Sequence, residues 1–178
     1  RMASAATPRK IRSLRSAPAD QLMVIVTMLG DRWVALAIAM VTFAWLVWRR
    51  AWRPAIATAA TVGIASLALW ISQSVIGRVR TPQDVTILVE GAFTFPSPHV
   101  VLAGTAFGVI ALLVSQGAGR WTRALLISMF ATLVIAVAFS RVYLGVHWLS
   151  DVIGGLLLAA ILVSAFGIVI EAIPTRKI

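Results

Sequence analysis

The apolar residues of this chain do not mark out one face of a helix or alternate along a strand. They run on continuously and break only where arginines, glycines and prolines collect. The long runs cover 33–48, 55–76, 97–115, 121–139 and 150–170, with a shorter one at 20–30. A helix of about 20 apolar residues crosses the hydrocarbon layer of a bilayer, and a helix satisfies all of its own backbone groups there. Hydrophobic residues make up 60% of the 178 and charged ones only 12%. That balance suits an integral membrane protein, because each charge at the bilayer centre costs about 2.5–3.5 kcal/mol. The expected fold is all-α: a polytopic membrane helix bundle of five full spans, preceded by a short interfacial or partly inserted helix that ends at Gly30. Trp33 and Trp48 bracket the first span as interface anchors.

Residues 1–19 read as a basic linker or tail with Arg9, Lys10, Arg12 and Arg15, residues 20–173 as the membrane domain, and 174–178 as a second tail. The apolar stretch after the first tail carries no clear small-residue cleavage site, which argues against a signal peptide. Because the chain opens on Arg1, it reads as a trimmed form or a piece of a longer protein, whose other domains are expected partners. The formal net charge of +10 raises the question of nucleic acid. The basic residues lie in short loops and tails, and no aromatic–basic interleaving accompanies them, so a nucleic-acid partner is not expected. Cysteine is absent, which excludes disulfides and thiolate metal sites.

Charge also sets the orientation. The connectors at 49–53 and 117–123 and the tail at 174–178 hold Arg49, Arg50, Arg53, Arg120, Arg123, Arg176 and Lys177. These are expected on the cytoplasmic side, which leaves the loop at 77–98 and the turn at 141–150 outside. Five spans would put the basic N-terminus outside as well, against the same bias, unless residues 20–31 or an upstream span make a further crossing.

The chemistry-bearing side chains gather on that outer side. Ser140-Arg141-Val142-Tyr143-Leu144-Gly145-Val146-His147-Trp148-Leu149-Ser150-Asp151 places an arginine, a histidine and an aspartate within twelve residues. His147 and Asp151 are four apart, so on a helix they share a face. An imidazole oriented by a carboxylate is suited to act as nucleophile or base. Arg141 offers a planar fork of donors for a phosphate. Three ionisable groups at a membrane boundary are expensive without a function. Tyr143 and Trp148 read as packing and interface residues. Before the third span comes Phe95-Pro96-Ser97-Pro98-His99. Ser97 is a good N-cap and Pro98 a favoured first helical residue, an ordinary helix start that leaves His99 unexplained. A helix N-terminus is also an anion site. Arg78 and Arg80 close the second span and, alone, read as snorkelling arginines. Gly104, Gly108, Gly154 and Gly155 read as close helix contacts rather than phosphate loops. Two histidines with flanking arginines suggest metal-free phosphoryl transfer. One imidazole would attack, the other would protonate the leaving oxygen, and the arginines would neutralise developing charge.

With these residues in place the chain resembles the type 2 phosphatidic acid phosphatase superfamily. Ser140-Arg141, five residues, His147, three residues, Asp151 matches its third signature. Pro96-Ser97-Pro98-His99 is similar to the second, Pro-Ser-Gly-His. The first, Lys, six residues, Arg-Pro, aligns with Gln73 and Arg80-Thr81, with the proline one place late at Pro82. The resemblance covers roughly 20–170 and implies a membrane bundle, usually of six helices, with an extracytoplasmic site. It implies that His147 forms a phosphohistidine oriented by Asp151, and that His99 is the general acid and then the base. Arg80, Ser97, Arg141 and, in the lysine's place, Gln73 would hold the phosphate. No cofactor or metal is expected. The implied substrate is a lipid phosphate, met at the outer face of a bacterial-type inner membrane. Two departures weaken the expected enzyme. Gln73 lacks the lysine's charge, a loss of about 1.5–3 kcal/mol. Pro98 deletes a backbone N–H, and losing an oxyanion-type donor costs about 10²–10³ in kcat. The alternative they leave is an impaired phosphatase-like domain that binds or transports a phospholipid or acts as a membrane scaffold.

Overall fold

The computed structural model describes residues 16–77 and 94–172. These form six α-helices: α1 (Ala17–Met28), α2 (Arg32–Trp48), α3 (Trp52–Ile76), α4 (Pro98–Val114), α5 (Arg120–Tyr143) and α6 (Leu149–Ala172). Their ends follow from local chemistry. Ser16 caps α1, its Oγ accepting from the Ala19 N–H at 3.4 Å, and Asp31 caps α2 by accepting from the Trp33 N–H at 2.8 Å. Pro54 lies in the first turn of α3, and Gly77, at φ 56°, ends it in the left-handed conformation.

α4 is the centre of the bundle, packed against α2, α3, α5 and α6. Most of its residues are buried. By contrast, only 22–28% of the most apolar window of α3, α5 or α6 is buried, and Trp48, Trp52, Trp70 and Trp121 are exposed. A helix apolar on every side and mostly uncovered by protein is one that faces lipid. α4 and α6 approach closely because α4 has glycine where α6 comes nearest. A Cβ at Gly104 would lie 2.6 Å from that of Ala159, and one at Gly108 would lie 2.4 Å from a Val163 methyl. The reading of these glycines as helix contacts holds.

Helices α3, α5 and α6, of 24–25 residues, are long and apolar enough to cross a membrane. α1 and α2, bent by 42° at their junction, make a fourth crossing if the pair is one span. α2 and α4, counted as full spans from sequence, have 17 residues each, at the lower limit for a crossing. Apolarity alone does not separate a short span from a core helix, which is why the sequence count runs higher.

The two ends of the bundle differ. Leu46, Ala55, Val109, Leu113, Phe166 and Ile170 pack together, which gathers the ends of α2, α4 and α6 with the start of α3. Arg49, Arg50 and Arg53 flank this end, and so do Arg120 and Arg123 at the start of α5. Arg123 and Glu171 pair there at 3.4 Å, both exposed. At the opposite end α4 and α6 begin and α5 finishes.

Candidate active site

The stretch from Ser140 to Asp151 folds as a helix end, a tight reversal and a helix start. The Gly145 N–H donates to the Val142 carbonyl at 3.1 Å and the Val146 N–H to the Arg141 carbonyl at 3.3 Å. That pair of bonds is a Schellman closure, with Gly145 at φ 74° in the left-handed position glycine adopts without penalty. Arg141 therefore sits in the last turn of α5 rather than in a surface turn, and it is fully buried. His147, expected on a helical face with Asp151, lies instead in the turn ahead of α6. The two still meet, His147 Nδ1 standing 3.6 Å from Asp151 Oδ2. The same Oδ2 accepts the Trp148 backbone N–H at 2.9 Å. Trp148 precedes α6 and Asp151 is its third residue, so this bond is one half of a capping box. It fixes the carboxylate that faces the imidazole. His147 is 4% exposed and Asp151 0%.

The second motif is fastened to this turn. The Ser97 backbone N–H donates to the Asp151 carbonyl at 3.0 Å. Gly154 and Gly155 make room for the contact: a Cβ at Gly154 would fall 2.6 Å from the Phe95 ring, and one at Gly155 would fall 3.0 Å from Val100 Cβ and 3.3 Å from the Ser97 carbonyl. Ser97 occupies the N-cap position of α4, as the sequence suggests, but its hydroxyl makes no capping bond. Its Oγ is buried and has no hydrogen-bond partner among the described residues. Buried hydroxyls are rarely left so without a reason.

His99, two residues on, is half-buried, and Gly30 presses against it; a Cβ there would lie 2.9 Å from the His99 carbonyl and 3.1 Å from its Cβ. Gln73 is half-buried in the last turn of α3. It stands one turn beyond Leu69, which shares a core cluster with Val101 of α4. Arg80 and Arg78 lie outside the described residues. The fold thus brings Ser97, His99, Arg141, His147 and Asp151 to one end of the bundle, with Gln73 on a neighbouring helix at that end. Among the described residues no group of three His, Asp or Glu side chains converges to hold a metal ion. The guanidinium, imidazole and hydroxyl groups carried at this end of the bundle are of the types that suit an oxyanion.

Sequence reasoning missed what supports these groups from α1. Arg141 Nη1 donates to Thr27 Oγ1 at 2.8 Å, and the Tyr143 hydroxyl donates to Asp20 Oδ1 at 2.9 Å. Tyr143, which the sequence suggests as a packing or interface residue, is both buried and hydrogen-bonded. A hydroxyl inside an apolar run was the available signal for Thr27. It is a weak one, since Thr42, Thr61 and Thr132 all return their hydroxyls to their own helix four residues back.

The chain is similar in sequence and fold to known proteins. Residues 78–172, over half the chain, match the model of the PAP2 superfamily. The chain is 29% identical over 163 residues to an undecaprenyl-diphosphatase of Sulfolobus acidocaldarius, covering 88% of this chain and 73% of the relative. It is 34% identical over 89 residues to phosphatidylglycerophosphatase B of Bacillus subtilis, covering 49% and 43%. Among solved structures, the crystal structure of a transmembrane PAP2-type phosphatidylglycerolphosphate phosphatase from Bacillus subtilis superimposes with a TM-score of 0.86 at 25% identity. That match covers 96% of this chain and 86% of the other.

Proposed function

The chain belongs to the PAP2 superfamily and is a membrane lipid phosphatase; from that premise we propose that it hydrolyses a lipid phosphomonoester or diphosphate through a phosphohistidine on His147. The observation that carries this reading is the junction of the two motifs. Ser97 is tied through its backbone to Asp151, the residue whose carboxylate faces His147, and it holds a buried hydroxyl with no partner among the described residues.

Asp151 lies on the Nδ1 side of the imidazole, which leaves Nε2 as the attacking atom. Nε2 forms a bond to the terminal phosphorus as its bond to the lipid oxygen of a monoester, or to the oxygen bridging to the proximal, lipid-bearing phosphate of a diphosphate, breaks. His99 delivers a proton to that leaving oxygen. It then takes one from the water that cleaves the phosphohistidine and releases inorganic phosphate. Arg141, Arg80, Ser97 and Gln73 hold the phosphoryl oxygens and oppose the charge that builds on them. These groups do the work of a cation, so activity is expected to survive chelation. The arginine-bearing end lies opposite the site, and the positive-inside bias then puts the site on the extracytoplasmic face of a bacterial-type inner membrane. In that orientation α2 to α6 are the five spans and α1 lies at the outer boundary.

The relatives' names point to a polyprenyl diphosphate or a glycerolipid phosphate as substrate. The test is phosphate release by detergent-purified protein from undecaprenyl diphosphate, phosphatidylglycerophosphate and phosphatidic acid, with His147→Ala as control. Release that vanishes in the variant, together with an acid-labile, alkali-stable phosphoprotein in the wild type, is the expected result. A folded wild type that releases nothing from any of the three refutes the hydrolytic reading.

A further inference from the structure

α1 carries none of the signature residues, yet it is built into the site. Ala19, Met23 and Val24 pack against Tyr143, Leu144 and Val146, the residues that carry the chain from Arg141 toward His147. Asp20 accepts from the Tyr143 hydroxyl near the start of α1, and Thr27 accepts from Arg141 near its end. Three residues beyond Thr27, Gly30 lies against His99. One short helix and its bend therefore touch residues from the second and third signatures.

The Thr27–Arg141 bond is the most consequential of these contacts. Thr27 is 4% exposed and Arg141 0%, so water does not replace the bond if it is lost. A guanidinium is a rigid planar fork, and fixing one nitrogen restricts the direction of the others. Arg141 sits at the end of α5 on a side chain with several rotatable bonds, and a partner on another helix removes that freedom before a phosphate arrives.

We propose that Thr27 is a positioning residue for phosphate recognition, holding the Arg141 guanidinium from α1, so that this helix forms part of the phosphate subsite. The proposal rests on the reading of Arg141 as a phosphate ligand. Its magnitude follows from the cost of ordering one long side chain on binding. Losing the bond should weaken phosphate affinity by roughly two- to twelvefold.

The experiment measures equilibrium binding of inorganic phosphate by calorimetry to detergent-purified full chain, beside KM and kcat for lipid hydrolysis. The variants are Thr27→Val, which swaps the hydroxyl for a methyl group, and Thr27→Ser, which keeps it. Each is also made in an Arg141→Met background. The expected result is weaker phosphate binding and a raised KM in T27V, near-wild-type values in T27S, and no effect of T27V once Arg141 is gone. T27V binding phosphate as the wild type does overturns the proposal. So does an equal loss in T27S, or a T27V effect that persists without Arg141, since either assigns the change to packing. Wild type that binds phosphate without hydrolysing lipid refutes the hydrolytic reading alone, while wild type that hydrolyses lipid but binds no phosphate overturns the positioning proposal alone.

Discussion

Replacing Asp151 with asparagine removes one charge and almost no volume, which isolates what the carboxylate does for His147. A single oxygen, Oδ2, both accepts the Trp148 N–H at 2.9 Å and stands 3.6 Å from His147 Nδ1. The amide oxygen of asparagine takes that place and keeps the capping bond, and the Ser97 bond is to the backbone and is untouched. What is lost is attraction between the carboxylate and the positive charge that the imidazole acquires on bonding to phosphorus. At 3.6 Å and an effective dielectric near 20 this is about 4–5 kcal/mol, or roughly a thousandfold in rate. Stability should change little, because the retained hydrogen bond is worth about 1 kcal/mol and removing a buried charge relieves desolvation. The assay is single-turnover phosphoenzyme formation by rapid quench, beside thermal unfolding in detergent. A D151N variant that unfolds like the wild type and forms phosphoenzyme within tenfold of its rate would refute the electrostatic argument.

Ser97→Ala offers a test in which stability and activity should part. A lost cap costs about 1 kcal/mol, but Ser97 makes no capping bond, so the unfolding temperature should hold while kcat/KM falls by about ten- to a hundredfold. Gly108→Ala drives a methyl into Val163 and should cost about 1–3 kcal/mol in thermal unfolding, recovered by adding Val163→Ala. Gln73→Lys combined with Pro98→Gly should raise turnover at least tenfold, since it restores a cation and a backbone donor to the signatures. Turnover unchanged in that double variant would mean that the native residues are matched to this chain's own substrate.

The all-helical membrane architecture was legible because lipid leaves a backbone few choices: continuous apolar runs and arginine-bearing connectors carry that constraint residue by residue. The third signature was legible for a related reason. Its members lie within twelve positions of one another, so a helix end, a turn and a helix start bring them together without help from afar. The sequence did not show that Ser97 leaves its cap unmade, since a serine before a proline-led helix ordinarily makes one. Nor did it distinguish a 17-residue span from a 17-residue core helix, because both are apolar throughout; only α4's neighbours reveal that it is the buried centre.

The chain by itself determined which chemical groups are available and at which end of the bundle they emerge, because charge and apolarity act locally and every residue reports its own. Tertiary structure decided how those groups are held. The backbone bond from Ser97 to Asp151, the grip of Thr27 on Arg141 and the seat of Gly30 on His99 join positions 54, 114 and 69 residues apart. Contacts over such distances exist only once the helices have packed, and no local pattern announces them.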